Sequence, residues 1–133
     1  MEKILTVCPY CGTGCGLHLV VENGRVTGVE PDKLHPVNEG ELCLKGYFGF
    51  EHIHSGDRLT TPLLKKEGRF VPVSWEEALD LVAARLTRIK EESGPDAFAL
   101  FASARATNEE NYIAQKFARA VMGTNNVDHC ARL

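Results

Sequence analysis

Apolar residues in the first sixty positions fall in short alternating runs, the spacing of strands rather than of helices. Ile4 to Val7 predicts a strand that leads directly into a cysteine-rich loop. Leu17-His18-Leu19-Val20-Val21 and Arg25-Val26-Thr27-Gly28-Val29 flank Asn23-Gly24, a strong short-range hairpin signal. Glu30 to Glu41 is polar and carries Pro31, Pro36 and Gly40, which predicts a surface loop. Lys45 to Ile53 predicts a short helical turn with Tyr47, Phe48 and Phe50 facing inward. A second hairpin is expected at Glu67-Gly68, joining residues 63–66 to residues 69–73.

The period then lengthens. Ser74-Trp75-Glu76-Glu77 has the form of a capping box, in which the Ser74 hydroxyl and the Glu77 carboxylate satisfy each other's backbone donors. The helix that follows places Leu79, Val82, Leu86 and Ile89 on one face, and Gly94-Pro95 ends it. Ala97 to Phe101 predicts a buried strand. Thr107-Asn108-Glu109-Glu110 is a second capping box, opening a helix with Ile113, Phe117 and Val121 inward. Gly123 closes that helix, and Asn126-Val127-Asp128 begins another strand. The expected architecture is mixed, α+β passing into α/β. Residues 1–60 form a small β-rich domain, and residues 61–133 begin a parallel βα domain. That domain reads as unfinished, because a parallel sheet needs further strands and cover on both faces.

Composition adds bounds rather than direction. The 133 residues are 44% hydrophobic and 25% charged, ordinary for a globular protein and long enough to bury a core without metal or disulfides. A net charge of −3 offers no basic face for nucleic acid or anionic lipid. The N-terminal residues lack an apolar signal core and a twin-arginine pair, and no window approaches the roughly 18 apolar residues of a membrane span. A cytoplasmic location is expected. In that reducing compartment five cysteines argue for metal ligation or chemistry rather than disulfides.

Four of the five stand as C-x2-C-x3-C-x27-C, at Cys8, Cys11, Cys15 and Cys43. Three thiolates within eight residues, on a loop containing Gly12, Gly14 and Gly16, can wrap one corner of a compact inorganic core. Cys43 then supplies the fourth. Soft thiolates select an iron–sulfur cluster or zinc. A structural zinc site ordinarily pairs two C-x2-C knuckles, and here the second half offers one cysteine, so a [4Fe-4S] cluster is favoured over zinc and over unliganded core cysteines. His18, His35, His52 and His54 join no cluster at ligand spacing and read as structural or solvated. The pairs Glu76/Glu77 and Glu109/Glu110 complement helix dipoles rather than act as general acids.

Val7-Cys8-Pro9-Tyr10-Cys11-Gly12-Thr13-Gly14-Cys15-Gly16, followed by Gly40-Glu41-Leu42-Cys43-Leu44-Lys45-Gly46, closely resembles the opening of the bis-pterin-guanine-dinucleotide oxidoreductases. Within that superfamily the chain is similar to formate dehydrogenase catalytic subunits. Residues 72–78, Gly94-Pro95-Asp96-Ala97, and the stretch from Asn111-Tyr112 through Gln115-Lys116-Phe117 to Asp128 extend the resemblance over the whole chain. Tyr10 and the segment from Asn125 to Leu133 favour formate dehydrogenase over the nitrate reductase relatives.

The resemblance implies that Cys8, Cys11, Cys15 and Cys43 ligate the cluster. It also implies that Lys45 lies between cluster and pterin and helps electrons cross. A cation beside a tetrathiolate cluster favours the reduced state; the plain alternative is a solvated lysine. Arg105 follows a predicted parallel strand and precedes a helix, where α/β proteins bind ligands. With Asn108 it is a candidate for pterin contact, against the alternative of a surface arginine.

The full enzyme implied would interconvert formate and carbon dioxide at a molybdenum or tungsten bis-pterin centre. Its electrons would leave through the cluster to a redox partner such as ferredoxin, a nicotinamide-linked flavoprotein or a hydrogenase. A stand-alone iron–sulfur electron-transfer module is the rival reading. In the resembling enzymes the metal's cysteine or selenocysteine ligand comes directly after the segment matching residues 128–133. The expectation is that the catalytic position falls just after Leu133, at an in-frame UGA encoding selenocysteine, and that this stretch alone is inactive. Reading the codon after Leu133 tests it. Cys130 reads as a small buried residue rather than as the metal ligand.

Overall fold

A computed structural model describes residues 1–131; the expected catalytic position beyond Leu133 lies outside the described residues. The chain divides into two compact units. Met1–Arg58 together with Ser103–Tyr112 makes the first, and Leu59–Ala102 with residues 113–131 makes the second. A small β-rich N-terminal region is followed by helix and strand elements, as the sequence pattern predicts.

In the first unit β1 (Glu2–Val7), β2 (Gly16–Glu22) and β3 (Arg25–Pro31) form an antiparallel sheet in that order. Glu22 pairs with Arg25 across a two-residue turn. Asn23 and Gly24 there have φ of 50° and 75°, the left-handed pair that matches strand twist in a tight hairpin. Residues 32–41 form the expected loop, and α1 (Leu44–Phe48) continues into a 3-10 turn over Gly49–His54. Of the three aromatics expected inward, Tyr47 and Phe50 are half-buried and Phe48 is exposed. Three residues apart in a single short turn, Phe48 and Lys45 share a face that the β-sheet does not cover.

In the second unit β4 (Leu63–Lys66) and β5 (Arg69–Pro72) form the second hairpin, again through a left-handed pair, Glu67 and Gly68. The helix α2 (Trp75–Ser93) starts where expected, but its capping box is half made. The Glu77 amide donates to Ser74 Oγ at 3.1 Å, whereas the Glu77 carboxylate turns to Lys66 Nζ at 2.9 Å instead of returning to the cap. The strand expected over residues 97–101 is displaced: Pro95–Ala97 is a 3-10 turn, and β6 is Leu100–Ala102. β6 pairs in parallel with β7 (Val127–His129), Leu100 opposite Val127. Thr124 Oγ1 donates to Asp96 Oδ1 at 2.6 Å, and Asn126 Nδ2 donates to the Asp96 carbonyl at 3.0 Å. These bonds tie the chain after α2 to the chain entering β7, which holds the parallel register.

Thr107 opens α3 (Asn108–Lys116) with both halves of its capping box formed. The Glu110 amide donates to Thr107 Oγ1, and Glu110 Oε2 accepts from the Thr107 amide. The helix then widens into a π-helical stretch over Phe117–Met122, closed by Gly123 at φ 84°. Its periodicity does not announce that change.

Burial corrects the expectation of a self-sufficient core. Cys8, Leu17, Ala118 and Met122 are the buried apolar residues among those described, and no large side chain is fully buried. Leu79, Val82 and Ile89 on the predicted inner face of α2 are exposed, as are Ile113 and Val121. Phe101, expected in a buried strand, is 84% exposed. β6 and β7 make a parallel ladder of two strands, and a parallel ladder needs further strands and helices on both faces to bury its side chains.

Candidate iron–sulfur site

The cysteine loop begins where β1 ends. Its two ends are joined by the Cys8 amide, which donates to the Cys15 carbonyl at 2.9 Å. Gly14 takes φ 73° at the turn between Cys11 and Cys15, a conformation that L side chains rarely adopt. Cys43 immediately precedes α1, and the Tyr47 amide donates to its carbonyl at 3.1 Å.

Cys8 is buried, Cys11 and Cys15 are half-buried, and Cys43 is exposed. Cys15 lies within electrostatic range of Cys8, Cys11 and Cys43. Burial pushes the Cys15 thiol up, and Cys8, Cys11 and Cys43 each add to the rise because their thiolates would repel a fourth negative charge. Cys11 moves the other way. The Thr13 hydroxyl lies 3.2 Å from its sulfur and, with the Thr13 backbone N–H, stabilises the thiolate. Arg105 and Lys45 add a smaller electrostatic pull in the same direction. Arg105 and Lys45, both candidates from the sequence, thus lie within electrostatic range of Cys11.

Cys8, Cys11, Cys15 and Cys43 are soft thiolate donors, the class that holds an iron–sulfur cluster or zinc.

Arg105 stands exposed in the turn between β6 and α3, its amide donating to Ser103 Oγ at 3.0 Å. That turn is held by Asn111, whose Nδ2 donates to the Ser103 carbonyl at 3.0 Å and whose Oδ1 accepts from the Ser103 amide at 3.1 Å. Asn108 Nδ2 donates to the Gly12 carbonyl at 2.9 Å, so this residue engages the cysteine loop. Of the histidines, His52 and His54 bond backbone groups. His54 Nε2 accepts from the Val26 amide at 2.9 Å, and His52 Nδ1 lies 2.6 Å from the Gly49 carbonyl. Cys130, expected to be buried, is exposed: it follows β7 directly, beyond the three-residue ladder that would have covered it.

Sequence reasoning missed Asn38 and the part played by Tyr10. Asn38 sits in a stretch read as a plain surface loop, yet its side chain makes three hydrogen bonds to backbone flanking the cysteines. No local pattern announces such a residue, since its partners lie up to 22 positions away.

The sequence profile described as "Molybdopterin oxidoreductase Fe4S4 domain" matches residues 1–55, and that described as "Molybdopterin oxidoreductase" matches residues 58–133. The chain is 58% identical over 128 residues to the "F420-dependent formate dehydrogenase subunit alpha" of Methanocaldococcus jannaschii, covering 96% of this chain and 18% of that one. It is 51% identical to "Formate dehydrogenase H" of Escherichia coli, covering 100% of this chain and 19% of that one. The chain thus spans under a fifth of the length of these curated relatives. Among solved structures, the acetylene hydratase of Pelobacter acetylenicus superposes with a TM-score of 0.71 over 96% of this chain and 18% of its own, at 22% identity, a likeness of fold.

Proposed function

The chain belongs to the molybdopterin oxidoreductase family, and on that premise we propose that it forms the electron-exit portion of a formate dehydrogenase. Cys8, Cys11, Cys15 and Cys43 hold a [4Fe-4S] cluster in this reading. The observation that carries it is the match of residues 1–55 to the Fe4S4 domain profile, with three of the four cysteines on one loop closed by the Cys8 amide on the Cys15 carbonyl. Identities of 51% and 58% to formate dehydrogenases over nearly the whole chain favour formate over other substrates of the family.

A cluster bound there supplies one-electron transfer, and a molybdenum or tungsten bis-pterin centre in the larger protein supplies the two-electron interconversion of formate and carbon dioxide. The chain's own residues hold, shield and bias. Burial of Cys8 keeps water from one corner of the site. The Thr13 hydroxyl and amide give Cys11 hydrogen bonds that disperse thiolate charge. Lys45 and Arg105 offset the site's negative charge and so favour the reduced state. Lys45 would lie on the electron route, and Arg105 and Asn108 would contact the pterin. Residues 1–60 form the cluster domain and residues 61–133 the start of the pterin-binding domain.

Among the described residues no helix is long and apolar enough to cross a membrane. A cytoplasmic setting suits a chain whose cysteines serve as cluster ligands rather than as disulfide partners. A redox protein such as ferredoxin, a nicotinamide-linked flavoprotein or a hydrogenase takes the electrons.

The test is anaerobic purification of the full-length protein, with iron and acid-labile sulfide measured beside formate-dependent reduction of a viologen dye. About four irons per chain and dye reduction by formate are expected. A colourless zinc protein, or one that reduces dye with another substrate and not with formate, would sink the reading.

A further inference from the structure

Resting on the four-cysteine reading above, we propose that Asn38 and Tyr10 are positioning residues that set Cys43 against Cys8, Cys11 and Cys15 before a cluster is bound. The first three cysteines share one eight-residue loop, whose closure by the Cys8 amide on the Cys15 carbonyl fixes their spacing locally. Cys43 comes 27 intervening residues later, so contacts between distant segments have to determine where it sits.

Asn38 makes the first such contact. Its Oδ1 accepts from the Gly16 amide at 2.7 Å, and its Nδ2 donates to the Gly16 carbonyl at 3.1 Å and to the Glu41 carbonyl at 2.9 Å. Gly16 directly follows Cys15, and Glu41 stands two residues before Cys43. A single amide thus joins the two cysteine-bearing segments, with both of its donor hydrogens and its oxygen in use. His35 packs against the same residue: a Cβ at Gly16 would overlap the His35 ring.

Tyr10 makes the second contact, from between Cys8 and Cys11. Its hydroxyl donates to the Gly49 carbonyl, just past the C-terminal end of α1, the helix that starts directly after Cys43. His52 Nδ1 lies 2.6 Å from the same carbonyl and reinforces the corner. Gly49 has φ −64°, which any residue adopts, so its backbone does not call for glycine. The Tyr10 ring does: a Cβ at Gly49 would run into it.

Cys43 is therefore bracketed, by Asn38 upstream and by Tyr10 through α1 downstream. Neither residue is a ligand. Each removes freedom from the fourth thiolate, so that four donors are already arranged when the cluster arrives. Ordering them beforehand lowers the entropy cost of binding.

The experiment uses the full-length holoprotein and the variants Asn38→Leu and Tyr10→Phe. Both substitutions remove hydrogen bonds with little change in volume, and Phe keeps the ring over Gly49. Iron and sulfide content, the electron paramagnetic resonance spectrum of the reduced cluster and its rate of stripping by an iron chelator are measured, with circular dichroism as a check on folding. In both variants the spectrum shifts and stripping accelerates on the order of tenfold, while circular dichroism stays unchanged. If Asn38→Leu does not fold, Tyr10→Phe decides alone. Wild-type spectra and stripping rates in Tyr10→Phe overturn the proposal. Wild-type protein that carries no iron and sulfide overturns the cluster reading beneath it, and the proposal with it.

Discussion

Asn108 donates from Nδ2 to the Gly12 carbonyl oxygen at 2.9 Å, linking the N-terminus of α3 to the cysteine loop across 96 positions of sequence. The approach is close enough that a Cβ on Gly12 would lie 2.5 Å from Asn108 Oδ1. The Gly12→Ala and Asn108→Ala substitutions should therefore break the same contact. Each is expected to destabilise the cysteine loop by about 1 kcal/mol, the ordinary net value of one hydrogen bond. The double variant should cost little more than either alone, because both act on one interaction. Hydrogen exchange at the loop amides measures all three. Fully additive effects would show that the two residues act separately.

Lys45 and Arg105 both pull on Cys11 toward its charged form. Converting either to an uncharged residue should make the cluster harder to reduce. Lys45→Met and Arg105→Met are expected to move its potential negative by tens of millivolts, a tenfold change in a one-electron equilibrium being about 59 mV. Redox titration followed by electron paramagnetic resonance reads the shift. The effect of Arg105→Met should shrink at high salt, since its side chain is exposed.

At the start of α2, Ser74 caps and Glu77 does not return the favour. Ser74→Ala should cost about 1 kcal/mol of local stability and speed exchange of the Glu77 amide about fivefold. Glu77→Ala loses an exposed ion pair with Lys66 and should cost well under 1 kcal/mol. Equal losses would mean that Glu77 completes the cap in solution.

Lys3 Nζ lies 2.6 Å from Glu30 Oε2, joining residues of the two outer strands of the N-terminal sheet. The hydrogen bond from Lys3 holds the Glu30 carboxyl below the usual carboxylate range. A carboxyl depressed in the folded state stabilises above its unfolded pKa, and that contribution is lost as pH falls through the lowered folded value. Lys3→Met should return the Glu30 midpoint upward, as followed by NMR titration of its side-chain carboxyl. With both partners exposed, the pair should be weakened by salt.

Much of the local structure was legible because short-range rules apply where the partners are neighbours. Asn23-Gly24 and Glu67-Gly68 mark both hairpins, since the turn conformation is a property of those two residues. Ser74, Thr107 and Gly123 mark helix ends for the same reason, and the C-x2-C-x3-C spacing marks a thiolate loop. Periodicity on α2 and α3 identifies the apolar faces. It does not say what covers them, and Leu79, Val82 and Ile113 stand exposed.

The sequence by itself determined the hairpins, the helix starts, the cysteine loop and the chemistry that four thiolates can support. Only the tertiary structure decided that Glu77 turns to Lys66 and that Asn108 reaches Gly12. It likewise decided that Asn38 and Tyr10 bracket Cys43. The physical reason is range. Turns and caps are settled by torsions and hydrogen bonds within a few residues. The meeting of groups 22, 39 or 96 positions apart depends on how the whole backbone returns, which no local pattern encodes.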